Sequence, residues 1–354
     1  MAKVLVTGAG GFIGGHLSKR LAEQGHDVWG ADIKMPEFRS TEDIGIPANQ
    51  FIIADLRYGW TVEELMYTVH PEWIFALAAD MGGMGFISSN DERILRNNLA
   101  INLNTYRAAH DLYLKGFLQR YFFSSSVCVY PEHAQMDKLF THNMLEGDAH
   151  PAAPQDAYGW EKLTTEQLLL AAHQDLGFPT YIARFHNCYG PYGTWQGGRE
   201  KAPAAMCRKV ANIMTNPHKE PVIEVWGDGQ QIRPFVYVDD LVEAILLLTQ
   251  SDYHKPVNLG PTWTGPLEGP NYRHQHIVSI DTLAAMVAKV AGLKHFSIEH
   301  VDGPEGVRYR GADGSLMKRL TGWEPSTPLL TGLSLTYEWI EQQVLHARMQ
   351  GAKA

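Results

Sequence analysis

Tyr158 and Lys162 stand four residues apart on a stretch (157–176) whose pattern predicts a helix, so both side chains share one face a turn apart. That pairing suits general-base chemistry at an alcohol. A lysine there can keep a tyrosine near its phenolate, lower its pKa towards a working range and orient a bound ribose. Upstream, Ser124-Ser125-Ser126-Val127-Cys128-Val129-Tyr130 follows Tyr121-Phe122-Phe123, an aromatic run that predicts a buried parallel strand delivering hydroxyls and one thiol into a loop. A serine at that strand's end can hydrogen-bond the same substrate oxygen. Taken alone, three polar residues and a YxxxK also arise by chance.

The N-terminal sequence changes the balance. An apolar strand (3–7) runs into Gly8-Ala9-Gly10-Gly11-Phe12-Ile13-Gly14 and then a helical run, 16–24. In this strand, glycine turn, helix order, Gly8 permits the tight turn, Gly11 lets the backbone approach a pyrophosphate, and Gly14 allows close helix–strand packing. Phe12 and Ile13 belong to the same cofactor-binding turn. A second strand (27–31) ends in Asp32, 18 residues beyond Gly14. A carboxylate there accepts hydrogen bonds from the adenosine ribose and repels a 2′-phosphate, which favours NAD over NADP; Lys34 pulls the other way.

Further strands are expected at 51–54, 73–77, 120–124 and 179–184, with helices at 90–114 and 157–176. This alternation predicts an α/β fold, a doubly wound parallel sheet. Asp55 lies at a strand end, where such sheets meet their ligands. Met81-Gly82-Gly83-Met84-Gly85 is either a flexible loop or a backbone that lies close to a flat or bulky ligand. Beyond Arg184 the pattern changes: a loop at 185–191, a helix at 204–214, strands at 222–226 and 235–238, and an apolar helix at 239–249. Helices follow at 280–293 and 330–349, with a polar loop and short helix at 308–320. The Pro- and Gly-rich stretch 260–276 lacks periodicity and reads as a surface lid or contact loop.

Of 354 residues, 19% are charged and 45% hydrophobic, ordinary for a globular enzyme. The net charge of −9 argues against a nucleic acid partner. Cys128, Cys188 and Cys207 show no CxxC pairing, so neither a metal site nor a disulfide framework is expected. No leader pattern precedes the glycine turn and no apolar run has membrane-spanning length; the expectation is a cytoplasmic enzyme with no membrane partner.

With Asp32, Asp55, Ser126, Tyr158 and Lys162 set around the glycine turn, the chain resembles the extended short-chain dehydrogenase/reductase family that acts on nucleotide sugars. Longer blocks carry the likeness further: Ala79-Asp80-Met81-Gly82-Gly83-Met84-Gly85-Phe86, Ser125-Ser126-Val127-Cys128-Val129-Tyr130-Pro131-Glu132, Pro154-Gln155-Asp156-Ala157-Tyr158-Gly159, and Arg184-Phe185-His186-Asn187 through to Gly198-Arg199-Glu200-Lys201-Ala202-Pro203. Within that family the likeness is to enzymes that invert GDP-mannose at C3 and C5. It runs from about Lys3 to Met349, with 260–276 as the main departure.

The resemblance implies an NAD-binding Rossmann domain (1–186 plus about 233–258) and a smaller α/β nucleotide-sugar-binding domain (187–232 and 259–354). It implies that Tyr158, supported by Ser126 and Lys162, takes the proton of the C4 hydroxyl as the C4 hydride passes to NAD. The 4-ketone acidifies C3 and C5, and Cys128 and Lys201 form the acid–base pair that inverts them. The products would be GDP-L-galactose and, after C5 inversion alone, GDP-L-gulose. By the same resemblance Gly82, Ser126, Cys128, Asn187, Glu200, Lys201, Ala202, Lys209, Gln231, Arg233 and Arg310 face the GDP-sugar, with Lys209 and Arg310 neutralising the diphosphate. A homodimer is implied, with apolar faces near 94–112 and 163–171 as candidate contacts. Cys128 has an alternative reading as a small buried hydrophobe, and Lys201 as a surface lysine or phosphate ligand. The rival activities are a 4-epimerase, a 4,6-dehydratase or a silent NAD-binding scaffold. A dehydratase would carry Asp-Glu where Val127-Cys128 stand.

Overall fold

A computed structural model describes residues 1–136, 143–216, 218–262 and 276–351, so most of the 260–276 stretch lies outside the described residues. The apolar runs of the first half form β1 (Lys3–Thr7), β2 (Asp27–Asp32), β3 (Phe51–Ile53), β4 (Trp73–Ala76), β5 (Arg120–Ser126) and β6 (Thr180–Phe185). They pair in parallel, with β10 (Val257–Leu259) beyond β6, in the order β10-β6-β5-β4-β1-β2-β3. The expected doubly wound sheet is present. Its strands are apolar at successive positions because both faces are covered. Val4 and Val6 join one core with Leu17 and Leu21 of α1 (Phe12–Glu23) and Leu241 and Ile245 of α7 (Val238–Thr249). Leu5 joins the opposite core with Val62 of α2 (Gly59–Val69), Ala109 of α4 (Asp91–Leu114) and Leu169 of α5 (Ala157–Leu176).

The sheet order reverses direction between β1 and β4, the place where a crevice opens at the carboxyl ends of such strands. The glycine turn after β1 and the Ala78–Asp80 passage after β4 therefore adjoin. A Cβ on Gly8 would stand 2.9 Å from Ala78 N.

The remaining strands build two small sheets: β7 (Asn187–Tyr189) parallel to β9 (Ile232–Tyr237), with β11 (Ile277–Ser279) antiparallel on its other side, and β8 (Val222–Trp226) parallel to β12 (Ser297–Val301). Helices α6 (Ala202–Met214), α8 (Ile280–Val290) and α10 (Leu329–Met349) share one apolar core with them, while α9 (Ser315–Thr321) is the short helix of the polar stretch. Residues 185–191, expected as a loop, contain β7. Cys188 and Tyr189 are buried there, and three residues paired to β9 are too few to show a period. The three-residue β10 and β11 escape a pattern reading for the same reason, and the five-residue β12 does so because it is mostly exposed and shows no apolar alternation.

The helix faces expected at a subunit contact also differ. Ile94, Leu112 and Leu163 point inward, because each helix needs its main apolar stripe against its own fold. Leu103, Leu114, Trp160 and Leu176 are the apolar residues these helices leave exposed.

Candidate active site

The three serines at the end of β5 divide by hydrogen bonding. Ser124 Oγ donates to Ala76 O (3.0 Å), and Ser125 Oγ donates to Glu166, which also holds Arg184 through two bonds. Ser126 is left to face α5. Its Oγ accepts from Cys128 N at 3.2 Å, capping the 3-10 turn Val127–Val129, and bonds the Tyr158 hydroxyl. The turn brings the half-buried Cys128 into an apolar cluster with Tyr158, Ile87, Ile94, Met81 and Phe86. Tyrosine, serine and thiol thus meet at one point.

Helix α5 starts on Asp156, whose carboxylate accepts from Gly159 N at 2.8 Å, and ends at Gly177 in the left-handed region. This fixes Tyr158 in the first turn and Lys162 one turn on. Both are buried, and Lys162 Nζ lies 5.4 Å from the centre of the Tyr158 ring. The ammonium also stands 3.4 Å from Glu161 Oε1, a carboxylate held by Asn98 Nδ2 (3.1 Å) and Asn102 Nδ2 (2.9 Å) of α4. Burial, followed by the fields of Cys128 and Glu161, raises the Tyr158 hydroxyl well above its ordinary value, with the Ser126 bond opposing. The sequence expectation of a lysine-lowered pKa is therefore not met in the chain alone. Desolvation dominates, and the nearby Glu161 carboxylate offsets the ammonium.

The glycine turn has the shape of a dinucleotide cradle. Gly8 takes φ +75°, and a Cβ on Gly14 would lie 2.1 Å from Gly8 O, so α1 packs against the turn only because Gly14 lacks a side chain. Gly11 precedes α1 without any side-chain cap, leaving the amides of Phe12 and Ile13 at an open helix N-terminus suited to a pyrophosphate. Asp32 Oδ2 accepts from Gly10 N at 3.0 Å, which sets the carboxylate beside the turn. Lys34 Nζ is turned away onto Glu37 at 2.7 Å, which removes it as a ready 2′-phosphate ligand. Asp55 is occupied by Arg57, whose Nε and Nη2 donate to it at 2.9 and 2.6 Å. These residues fit an NAD cofactor.

Near β9, two guanidiniums lie within each other's field and neither is in an ion pair among the described residues, although the charge of Arg310 reaches Asp156. Arg233 donates to the carbonyls of Ile232, Glu305, Val307 and Arg308; burial and then the charge of Arg310 bring its pKa down to about 9. Arg310 is 5% exposed; its Nη2 donates to Gln155 Oε1 at 3.0 Å, and its Nη1 has no partner among the described residues. A buried, half-satisfied guanidinium beside a second one is an anion site in waiting. Cys128 contributes to the field at Arg233, so this pair adjoins the thiol.

The remaining sequence candidates are placed as follows. Gly82 is buried against Phe86. Lys201 precedes α6, Ala202 opens it, and the Lys201 ammonium is in no ion pair or hydrogen bond among the described residues. Glu200 is tied internally: its carboxylate accepts from Arg208 Nη2 (2.8 Å) and Gly198 N (2.7 Å). Lys209 Nζ donates to Glu224 O at 2.7 Å. Asn187 Nδ2 donates to Pro234 O (3.1 Å), and Gln231 Nε2 donates to Glu305 Oε2 (2.7 Å) while its own Oε1 has no partner among the described residues. The sequence reading assigned no role to Asp80, Asn98, Glu161 or Arg199. Glu161 adjoins Lys162 in sequence, but only the packing of α4 on α5 shows that it is buried.

Residues 4–260 match the NAD dependent epimerase/dehydratase family. The chain belongs to this family. It is an enzyme whose cofactor is NAD. It is 43% identical over 351 residues to GDP-mannose 3,5-epimerase of Arabidopsis thaliana, covering 99% of this chain and 85% of that protein. It is 42% identical to GDP-mannose 3,5-epimerase 1 of Oryza sativa subsp. indica, covering 99% of this chain and 84% of that one. Among solved structures, UDP-glucose 4-epimerase from Thermotoga maritima, determined with UDP-glucose, superposes with TM-score 0.78 at 23% identity over 96% of this chain and 99% of that one. UDP-glucose 4-epimerase from Thermus thermophilus, in complex with NAD, gives TM-score 0.76 at 22% identity over 95% and 98% of the two chains.

Proposed function

We propose that this chain inverts GDP-mannose at C3 and C5 through transient oxidation at C4. The observation that carries the reading is the thiol of Cys128, packed against Tyr158 next to Ser126, with the unengaged Lys201 on the neighbouring segment. A 4-epimerase has no use for a thiol at this point, and a dehydratase needs an acid where buried Val127 stands. The resemblance to the plant proteins supports the same substrate.

When bound, NAD would supply the acceptor and donor for the C4 hydride and a positive charge that counters the desolvation at Tyr158. Tyr158 takes the proton of the C4 hydroxyl and gives it back at the end. Ser126 holds the same oxygen, and Lys162 carries the ribose and the ring-side charge. The 4-ketone makes the hydrogens at C3 and C5 acidic because each carbanion is an enolate. Cys128 and Lys201 act from opposite faces, one removing a proton and the other supplying one, so that configuration inverts. Arg233 and Arg310 hold the diphosphate of the sugar nucleotide, while the amides after Gly11 would hold the pyrophosphate of NAD and Asp32 its adenosine ribose.

The same reading gives an NAD-binding domain (1–186 with about 233–258), a sugar-nucleotide domain, a homodimer and a cytoplasmic setting. Among the described residues, no helix is long and apolar enough to cross a membrane. Incubation with GDP-mannose in deuterated water, followed by NMR of the sugar ring, tests the function. Deuterium at C5 and C3 with new L-sugar signals is expected; an unlabelled ring, or loss of the C6 hydroxyl, would overturn it.

A further inference from the structure

Asp80 is a carboxylate that the proposed reaction does not use. Its Oδ2 accepts from Arg93 Nε (2.8 Å) and Asn97 Nδ2 (2.9 Å), both on α4, and its Oδ1 accepts from Arg199 Nη1 (3.1 Å). Burial alone would raise this carboxyl, but the bonds from Asn97, Arg93 and Arg199 hold it below its usual range. Arg199 is fastened to the same loop at three further points. Its Nη1 also donates to Met81 O (3.4 Å), its carbonyl accepts from Gly83 N (2.9 Å), and its guanidinium lies 3.8 Å over the Phe86 ring. Gly83 has no room for a side chain, since a Cβ would stand 2.4 Å from Glu200 O. Met81 and Phe86, on the same loop, pack with Tyr158 and Cys128. Residues 80–87, which end in the short helix α3 (Met84–Ile87), thus connect the hydroxyl and thiol to the segment 199–201.

We infer that Asp80 and Arg199 are positioning residues that clamp the backbone of 199–201 onto this loop and so set where the Lys201 ammonium meets a sugar whose other face meets Cys128. This deepens the function proposed above and rests on it. A lysine side chain has many rotamers, so its aim depends on where its backbone is held. One exposed ion pair would hold it only weakly. Here a carboxylate only 14% exposed gathers three donors, and a backbone bond and a cation–ring contact act with it. The oxidation step uses Tyr158, Ser126 and Lys162, none of which bonds to Arg199. Asp80 reaches the Asn98–Glu161–Lys162 network through its backbone N and O, which a side-chain substitution leaves in place. Loosening the clamp should therefore impair epimerisation and spare C4 oxidation.

The full-length NAD-loaded protein and its variants Asp80→Asn, Arg199→Gln and the double variant are mixed with GDP-mannose in deuterated water. Enzyme-bound reduced cofactor is followed by near-ultraviolet absorbance, and deuterium at C5 and C3 by NMR. Each single variant should lose roughly 10- to 100-fold in exchange, as misplacement of a proton-transfer group does, while reduced cofactor still accumulates. The double variant should lose no more than the worse single one, because the two residues act as a unit. Arg199→Lys, which keeps the charge but not the planar contacts, should fall between parent and Arg199→Gln. Exchange at the parent rate would overturn the inference. So would oxidation and exchange falling together, the mark of a merely structural role. A parent protein that shows no exchange would bring down the proposed function itself, and this inference with it.

Discussion

Tyr158, Ser126 and Cys128 are close enough that each changes what the others can do. The tyrosine is buried, its hydroxyl is bonded to Ser126, and its ordinary acidity is suppressed by desolvation and by the neighbouring thiol and carboxylate. It can act as base only with the substrate hydroxyl and a compensating positive charge in place, which ties C4 oxidation to the fully assembled complex. Tyr158→Phe removes the proton acceptor at C4, so turnover and exchange of the C5 hydrogen with solvent should fall together, roughly 10²–10⁴-fold. Exchange at the parent rate in this variant would show that the ketone forms without the tyrosine. Cys128→Ala leaves that apparatus intact and removes a proton-transfer group. Epimerisation should drop by a similar roughly 10²–10⁴-fold while reduced cofactor accumulates on the enzyme and GDP-mannose affinity, measured calorimetrically, changes by less than about 1 kcal/mol. Epimerisation at the parent rate would return Cys128 to the role of a packed side chain.

Elements decide which of these residues could be seen in sequence. The glycine turn, Asp32, and the Tyr158–Lys162 pair lie within single strand–turn–helix units, so their spacing alone places them. Arg233 and Arg310 are named in sequence only by the resemblance, and Asp80 and Arg199 are given no role there, because their places depend on long-range packing: β7 against β9, residues 80–87 against 199–201, the Arg308 stretch against Ile232. No local period encodes such contacts, and strands of three residues carry no period at all. His186 illustrates the point, since the sequence gives it no role and the structure makes it a stability element. It follows β6, 3% exposed, with Gly260 closed over its ring and both ring nitrogens without a hydrogen-bond partner among the described residues. Burial pushes its pKa from 6.5 down to about 3, so between those values the unfolded chain takes up a proton that the folded chain refuses. Its contribution is complete above pH 6.5 and is lost as pH falls towards 3. From pH 6.5 to about 4.5 that loss is about 2–3 kcal/mol at ~1.4 kcal/mol per unit. His186→Phe fills the same space without titrating, so its urea midpoint should fall less over this interval than that of the parent. Equal falls would mean that the ring is solvated or protonated in the fold.

At the scale of the whole molecule, α4 and α5 serve the site and the surface at once. Their inner faces carry Asn98, Glu161 and Lys162, and their apolar stripes close over the sheet through Ala109, Leu112 and Leu169. What remains outward is a second, thinner set of apolar residues: Leu103 is 56% exposed, Leu114 65%, Trp160 44% and Leu176 48%. A single exposed leucine needs no explanation, but Leu103 and Leu114 on one outward face of α4, together with Trp160 of α5, suit an isologous contact between two copies of the chain. The proposed homodimer should therefore form through this face rather than through the inward stripes at 94–112 and 163–171. Light scattering of the parent should give twice the mass of one chain at working concentration. Leu103→Glu combined with Trp160→Glu should give a monomer, because a paired interface would bury two unpaired carboxylates from each subunit. Both positions face solvent in the single chain, so the monomeric variant should keep its fold by circular dichroism. If it remains dimeric, the contact lies elsewhere; if the parent is itself monomeric, the dimer proposal fails.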